Sequence, residues 1–127
     1  MRCPCCSEKL YVECCEPFHL AKAIPKTAEQ LMRSRYSAYV LHKVDYIVKT
    51  TIPAQQAKLD VVAITTWSEQ TDWQGLRILK YKPISGVPQA KVEFEAYYQE
   101  NGERKTHHEV SIFLKIQGQW YFKDPTV

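Results

Sequence analysis

The sequence contains no run of about 18 apolar residues, so it offers no membrane-spanning helix. Its first residues lack a basic segment followed by an apolar stretch, the pattern of a secretory leader, and a cytoplasmic location is the expectation. No long block of like charge occurs: 17 basic and 14 acidic residues are spread along the chain for a net charge of +3, weak ground for a polyanion partner. There is no HExxH motif, no glycine-rich phosphate loop and no Ser/His/Asp order, so enzyme chemistry lacks a positive signal and the reading leans away from an enzyme. Internal repeats and low-complexity tracts are also missing. What remains, 127 residues with 45% hydrophobic and 12% aromatic content, is enough for one core and a small appendage.

Against these absences stands a dense group of cysteines. Cys3-Pro4-Cys5, eight further residues and Cys14-Cys15 put four thiols in the first fifteen positions. Thiolates so close read as a metal clip. Soft sulfur and a count of four favour tetrahedral Zn(II), although Fe(II) or Cu(I) could occupy such a set. The segment between the pairs must fold back as a loop, and Pro4 fixes its first bend. A closed four-thiolate site leaves no open position for substrate, so a structural metal is expected rather than a catalytic one. Cys6 makes the cysteine count odd, which a disulfide framework would leave unpaired and a reducing compartment explains. It could replace a neighbour as ligand, stay a free thiol, or oxidise when metal is lost. His19 is either an additional ligand or a surface histidine. Counting four thiolates against one Zn(II), residues 1–26 carry about −1, which disfavours nucleic acid as a partner.

Residues 1 to about 20 are too short to bury a core and depend on the metal for order; residues 21–26 read as a linker. Thr27 is a good N-cap, with Gln30 placed to close a capping box, and a helix is expected from Ala28 to about Leu41. A shorter helix is expected near Asp45 to Lys49. A third, after Pro53, would have Leu59, Val62, Ala63, Thr66 and Trp67 on one face and end in the polar stretch Ser68 to Gly75. Beyond Gly75 the period shortens to two. Strands are expected over Leu76 to Ile84, broken by Pro83 and the following turn, and over Ala90 to Gln99, Arg104 to Ile116 and Gln119 to Lys123. Turns fall at Asn101-Gly102 and Gln117-Gly118. Helices followed by a four-stranded antiparallel meander define an α+β fold with helices on one face of a curved sheet.

Arg35 lies in the middle of the apolar face of the first long helix, where a guanidinium needs a carboxylate or a ligand. It is either paired with a sheet residue such as Glu109 or Asp124, or an anion hook at the bottom of a pocket. Aromatic residues gather near the same face, and an open end of the cone would be lined by Arg35, Tyr36, Tyr39, Trp67, Trp73, Phe113 and Tyr121. Alternation puts His107 and Glu109 on one strand face, read as a surface pair, and His108 on the other.

The spacing Cys-Pro-Cys, eight residues, Cys-Cys resembles the SEC-C motif, a zinc module also found at the C-terminus of bacterial preprotein translocase motors. Residues 27–40 (TAEQLMRSRYSAYV) and Asp45-Tyr46 resemble the YchJ-like bacterial family, as do Trp73-Gln74-Gly75-Leu76, residues 108–113 (HEVSIF) and Gly118-Gln119-Trp120-Tyr121, so the likeness covers nearly the whole chain. It implies a SEC-C zinc-binding motif over residues 1–20 and a nuclear transport factor 2-like, cystatin-related cone over 27–127, with Cys3, Cys5, Cys14 and Cys15 as the zinc ligands. Two departures stand out. The family's usual Gly-Ser-Gly after the second cysteine is Cys6-Ser7-Glu8 here, which changes the residues available for the loop's turn. Many relatives also end in a second SEC-C motif, whereas this sequence stops at Val127. The resemblance brings no reaction with it. By analogy with translocase tails it implies a non-enzymatic adaptor whose knuckle docks on a protein partner of unknown identity. The alternative is a small-molecule binder or enzyme using the cone; the oligomeric state is open.

Overall fold

In the computed structural model of the chain, which describes residues 1–126, the N-terminal module consists of tight turns. A 3-10 turn at Tyr11–Glu13 leads into a one-turn helix, α1 (Glu16–His19), opened by Pro17 where a missing N–H costs nothing. Next comes α2 (Ala28–Val40), capped by the Thr27 hydroxyl, which accepts from the Gln30 N–H at 3.1 Å. The Gln30 side chain closes the cap one residue further back than a capping box requires, accepting from the Lys26 N–H at 2.8 Å.

Helix α3 (Val44–Lys49) follows, and the helix expected after Pro53 is two: α4 (Pro53–Gln56) and α5 (Val61–Gln70). Asp60 separates them, its carboxylate accepting from the Ala63 N–H at 3.0 Å. Val62, Ala63 and Thr66 of the expected apolar face are turned outward, Val62 77% exposed, while Ile64 and Ser68 face in and Trp67 alone of that helix face reaches the Trp73 ring. Polar anchoring outweighs the apolar stripe. The buried Ser68 hydroxyl donates to the Tyr39 carbonyl at 2.6 Å and accepts from His42 Nδ1 at 2.9 Å, which fixes the rotation of α5 on the end of α2.

Four antiparallel strands, β1 (Asp72–Ile84), β2 (Gln89–Glu100), β3 (Glu103–Ile116) and β4 (Gln119–Lys123), pair in sequence order. β1 starts inside the stretch read as a helix end, because Trp73 pairs with Tyr98 and packs on the core. Pro83 does not break it; β1 is an edge strand, where a missing donor on the open side is tolerated. Asn101 (φ 54°) and Gly102 (φ 78°) make the β2–β3 turn with the positive φ its two-residue geometry needs.

Ala28, Leu31, Met32 and Tyr36 of α2 pack on Leu76, Val92, Phe94, Ala96 and Phe113. Full burial of each large side chain is worth about 1.5–3 kcal/mol. Register then decides which face of β3 looks inward: Val92 pairs with Ser111, Phe94 with Glu109 and Ala96 with His107, and paired residues share a face. The more hydrophobic row of β3, including Val110, Ile112 and Leu114, therefore lies on the convex side, and the polar row faces the helices. At the far edge β4 is covered by the chain after α3: Phe122 N–H donates to the Thr50 carbonyl at 2.7 Å, and Ile52 N–H to the Phe122 carbonyl at 2.9 Å. Among the described residues no helix is long and apolar enough to cross a membrane.

Candidate functional site

The Cys3-Pro4-Cys5 bend and the turn before Cys14-Cys15 face each other because Cys3 N–H donates to the Lys9 carbonyl at 2.8 Å, closing the loop between them. The Sγ atoms of Cys3, Cys5, Cys14 and Cys15 all lie within 4.8 Å of one another, with Cys5–Cys14 at 3.6 Å and Cys14–Cys15 at 3.9 Å. Tetrahedral thiolate ligation at about 2.3 Å requires sulfurs about 3.8 Å apart, so the set fits one thiophilic ion. Cys3, Cys5 and Cys15 are buried, Cys14 is half-buried, and all five cysteines are free thiols. Hydrogen bonds from Cys15 and Cys3 drive the Cys5 thiol far down from its ordinary pKa against the pull of burial. Hydrogen bonding with Cys3 and Cys5, with burial, drives Cys15 far up, and burial raises Cys14. Four crowded sulfurs cannot all ionise without a cation, which is what a bound metal supplies.

The module is seated on one side of α2. The fully buried Ser37 hydroxyl lies 3.4 Å from both Cys3 Sγ and Cys15 Sγ, and Arg33 Nη1 donates to the Cys5 carbonyl at 2.8 Å. His19 is neither a ligand nor a surface group. Its Nε2 donates to the Ser34 carbonyl at 2.8 Å and its Nδ1 accepts from the Tyr11 hydroxyl at 2.7 Å, the tautomer that satisfies both contacts. Burial lowers the His19 pKa and lifts the Tyr11 hydroxyl to about 12. Cys6 stands outside the sulfur group: its Sγ accepts from Leu76 N–H at 3.4 Å on the open edge of β1. Cys6 (φ 64°) and Glu8 (φ 70°) hold left-handed backbone where the family pattern has glycines.

On the opposite side of α2 the cone keeps a pocket of about 150 Å³. Arg35, Tyr36, Tyr39, Trp67 and Trp73 line it as expected; Phe113 and Tyr121 do not. Phe113 is fully buried under the helices against Phe122, and Tyr121 alternates with the pocket-lining Phe122 along β4. In their place the sheet supplies Phe94, His107, Glu109 and Ser111. The aromatic wall is built edge to face, Trp73 standing at 88° to Trp67 and 81° to Tyr36.

Arg35 is 5% exposed, and no carboxylate among the described residues lies within ion-pair distance of it. Its Nη1 donates to the Ile47 carbonyl at 2.8 Å and the Thr50 hydroxyl at 2.7 Å, and its Cζ lies 4.3 Å from the Phe122 ring centroid. No ion pair among the described residues includes it, so neither Glu109 nor Asp124 is its salt-bridge partner. Glu109 instead accepts from His107 Nε2 at 3.0 Å and from the Ser111 hydroxyl. A larger cleft of about 500 Å³ runs between the linker and α3 past Ile24, Lys43 and Trp120, but it holds no buried charge.

A thiolate knuckle seated on a helix that roofs a bent antiparallel sheet defines a SEC-C-type module joined to a nuclear transport factor 2-like cone. Known proteins agree. The family model described as "YchJ, middle NTF2-like domain" matches residues 27–125. A UPF0225 protein of Actinobacillus succinogenes is 52% identical over 98% of this chain and 81% of its own length, and one from Haemophilus influenzae strain PittEE is 50% identical over 98% and 78%. Among solved structures, a SEC-C motif protein from Psychrobacter arcticus superposes with a TM-score of 0.93 at 44% identity, covering 98% of this chain and 81% of that one. One from Rhodopseudomonas palustris gives 0.88 at 39%, covering 98% and 96%. The chain belongs to the YchJ-like, UPF0225 family.

Proposed function

We propose that the chain is a cytoplasmic small-molecule-binding protein in which zinc, held by Cys3, Cys5, Cys14 and Cys15, braces the fold while the cone pocket takes small organic anions at Arg35. The carrying observation is that guanidinium: a cation 5% exposed, lining a pocket, with neutral acceptors on Nη1 and, among the described residues, no carboxylate within ion-pair distance, Glu109 and Asp124 acting on it only through space. A buried charge of this kind is costly unless something pairs with it, and a carboxylate can do so with two parallel bonds. The zinc reading is supported by the sulfur spacing and by the closed, buried set, which leaves no place for substrate on the metal. When bound, the metal supplies the positive charge that lets the four thiols ionise together. Four cysteines grouped as ligands and an odd fifth support a reducing compartment.

The test is titration of zinc-loaded protein with isocaproate, followed by the fluorescence of Trp67 and Trp73. Saturable binding in the parent and its loss in Arg35→Met support the reading; equal binding by both sinks it. Elemental analysis should return one zinc per chain. Protein docking by the knuckle is the second reading, favoured by Leu10, Val12, Leu20 and Ile24, which are large apolar side chains exposed on the N-terminal segment. A Val12→Ser, Leu20→Ser variant that retained every interaction partner of the parent would end it.

A further inference from the structure

The cone pocket carries two opposite charges, one from α2 and one from β3. Arg35 spends only Nη1 on the protein: with the Ile47 carbonyl, the Thr50 hydroxyl and, at 3.5 Å, the Thr51 hydroxyl taken by that one nitrogen, Nε and Nη2 have no hydrogen-bond partner among the described residues. Every fully buried side-chain nitrogen and oxygen described is partnered, so these two donors are left with access to the pocket. Glu109, on β3, is held from both sides by His107 and Ser111, which fixes its carboxylate without neutralising it by an arginine or lysine. Each of its oxygens keeps a second lone pair for a ligand. The same pocket is lined by the indoles of Trp67 and Trp73 and the ring of Tyr39.

From this arrangement we infer that the ligand is a small α-amino carboxylate, its carboxylate on the free fork of Arg35, its ammonium on Glu109 and its hydrocarbon body against the two tryptophans. The inference rests on the cone being the binding site. Size restricts the ligand: about 150 Å³ is about five water volumes, or about 7 Å across if round, so the two ligand charges must lie close together, as on an α-carbon. Charge restricts it further. A phosphate or a dicarboxylate would meet Glu109 with like charge, a plain monocarboxylate would leave the Glu109 charge facing it unmatched, and an amine alone would leave the buried Arg35 unpaired. Aromatic rings beside an ammonium add cation–π attraction.

Four probes sharing one isoamyl chain separate the possibilities: leucine, leucic acid, isocaproate and isoamylamine, each titrated into zinc-loaded full-length protein by tryptophan fluorescence and calorimetry. The expected result is leucine binding at least about tenfold more tightly than isocaproate or leucic acid, since charged hydrogen bonds exceed neutral ones. Glu109→Gln should bring leucine down to the isocaproate level, while isocaproate itself, no longer facing an unmatched carboxylate, binds at least as tightly as before. Isocaproate or leucic acid binding as tightly as leucine would overturn the amino carboxylate while the anion pocket stood. Isoamylamine matching leucine, or no probe binding at millimolar concentration, would overturn both.

Discussion

Ser37 offers the sharpest test of how the metal module is joined to the cone. Its hydroxyl is fully buried and lies 3.4 Å from Cys3 Sγ and 3.4 Å from Cys15 Sγ, so it is the α2 group that reaches the sulfurs directly. Ser37→Ala removes a hydrogen bond to a thiolate, worth about 1.5–3 kcal/mol for a charged acceptor. At about 1.4 kcal/mol per factor of ten, zinc affinity should fall by about 10- to 150-fold, in line with the loss usually seen when an outer-shell partner is removed. Helix α2 itself should not suffer, because alanine exceeds serine in helix propensity by several tenths of a kcal/mol. The assay is competition for zinc with a chromogenic chelator, with thermal unfolding of the metal-free protein as control. Ser34→Ala serves as the comparison, since the Ser34 hydroxyl bonds the Leu31 carbonyl and Tyr46 and is not bonded to sulfur; it should keep affinity near the parent's. A Ser37→Ala protein whose zinc affinity stayed within about twofold of the parent would show that the hydroxyl only fills space.

Glu8→Gly should stabilise the knuckle by about 1 kcal/mol, because Glu8 holds φ 70° with an exposed side chain; a higher midpoint in thermal scans of zinc-loaded protein checks it, and a lower one refutes the strain. Cys6→Ser should leave one zinc per chain, since its sulfur lies on β1 rather than in the cluster, and a drop in metal content would make Cys6 a ligand after all. His19 gives a pH dependence: burial sets its folded pKa below the ordinary 6.5, so its contribution is complete above about pH 6.5 and is lost as the pH falls through the folded value. Urea midpoints of the parent should therefore drop on acidification more than those of His19→Gln. Arg35→Met should change unfolding free energy by less than about 2 kcal/mol, because the lost hydrogen bonds and the relieved desolvation of a buried cation offset each other. Urea denaturation checks this, and a loss beyond about 3 kcal/mol would make Arg35 a structural residue.

Strong local signals set what could be read from the residues. The Thr27 cap, the Asn101-Gly102 turn and the period-two stretches carry their own chemistry, and the structure places α2 and all four strands within a few residues of expectation. The cysteine spacing likewise brings four sulfurs together. The failures come where long-range partners decide. The rotation of α5 follows from Ser68 meeting Tyr39 and His42, contacts between residues 26 and 29 positions apart that no periodicity records. The row His107, Glu109 and Ser111 is on the inward face because β2 dictates the register, so the His107–Glu109 pair forms with both side chains partly exposed, as expected, and also lines the pocket, which alternation alone does not reveal. Ser37 went unnoticed because a serine in a helix carries no pattern of its own; only its place one turn from Arg33, on the face away from Arg35, hints at a second buried side.

That two-sidedness of α2 sets how the protein can be taken apart. A chain cut at the linker would strip cover from Ser34 and Ser37, leaving a raw polar seam along a helix whose other face still has to hold the sheet. Grafting the cysteine segment onto a foreign scaffold would meet the mirror problem, a thiol cluster deprived of the serine and arginine that steady it. The two halves are tenants of one shared wall, and a change on either side of it has to be tolerated by the other.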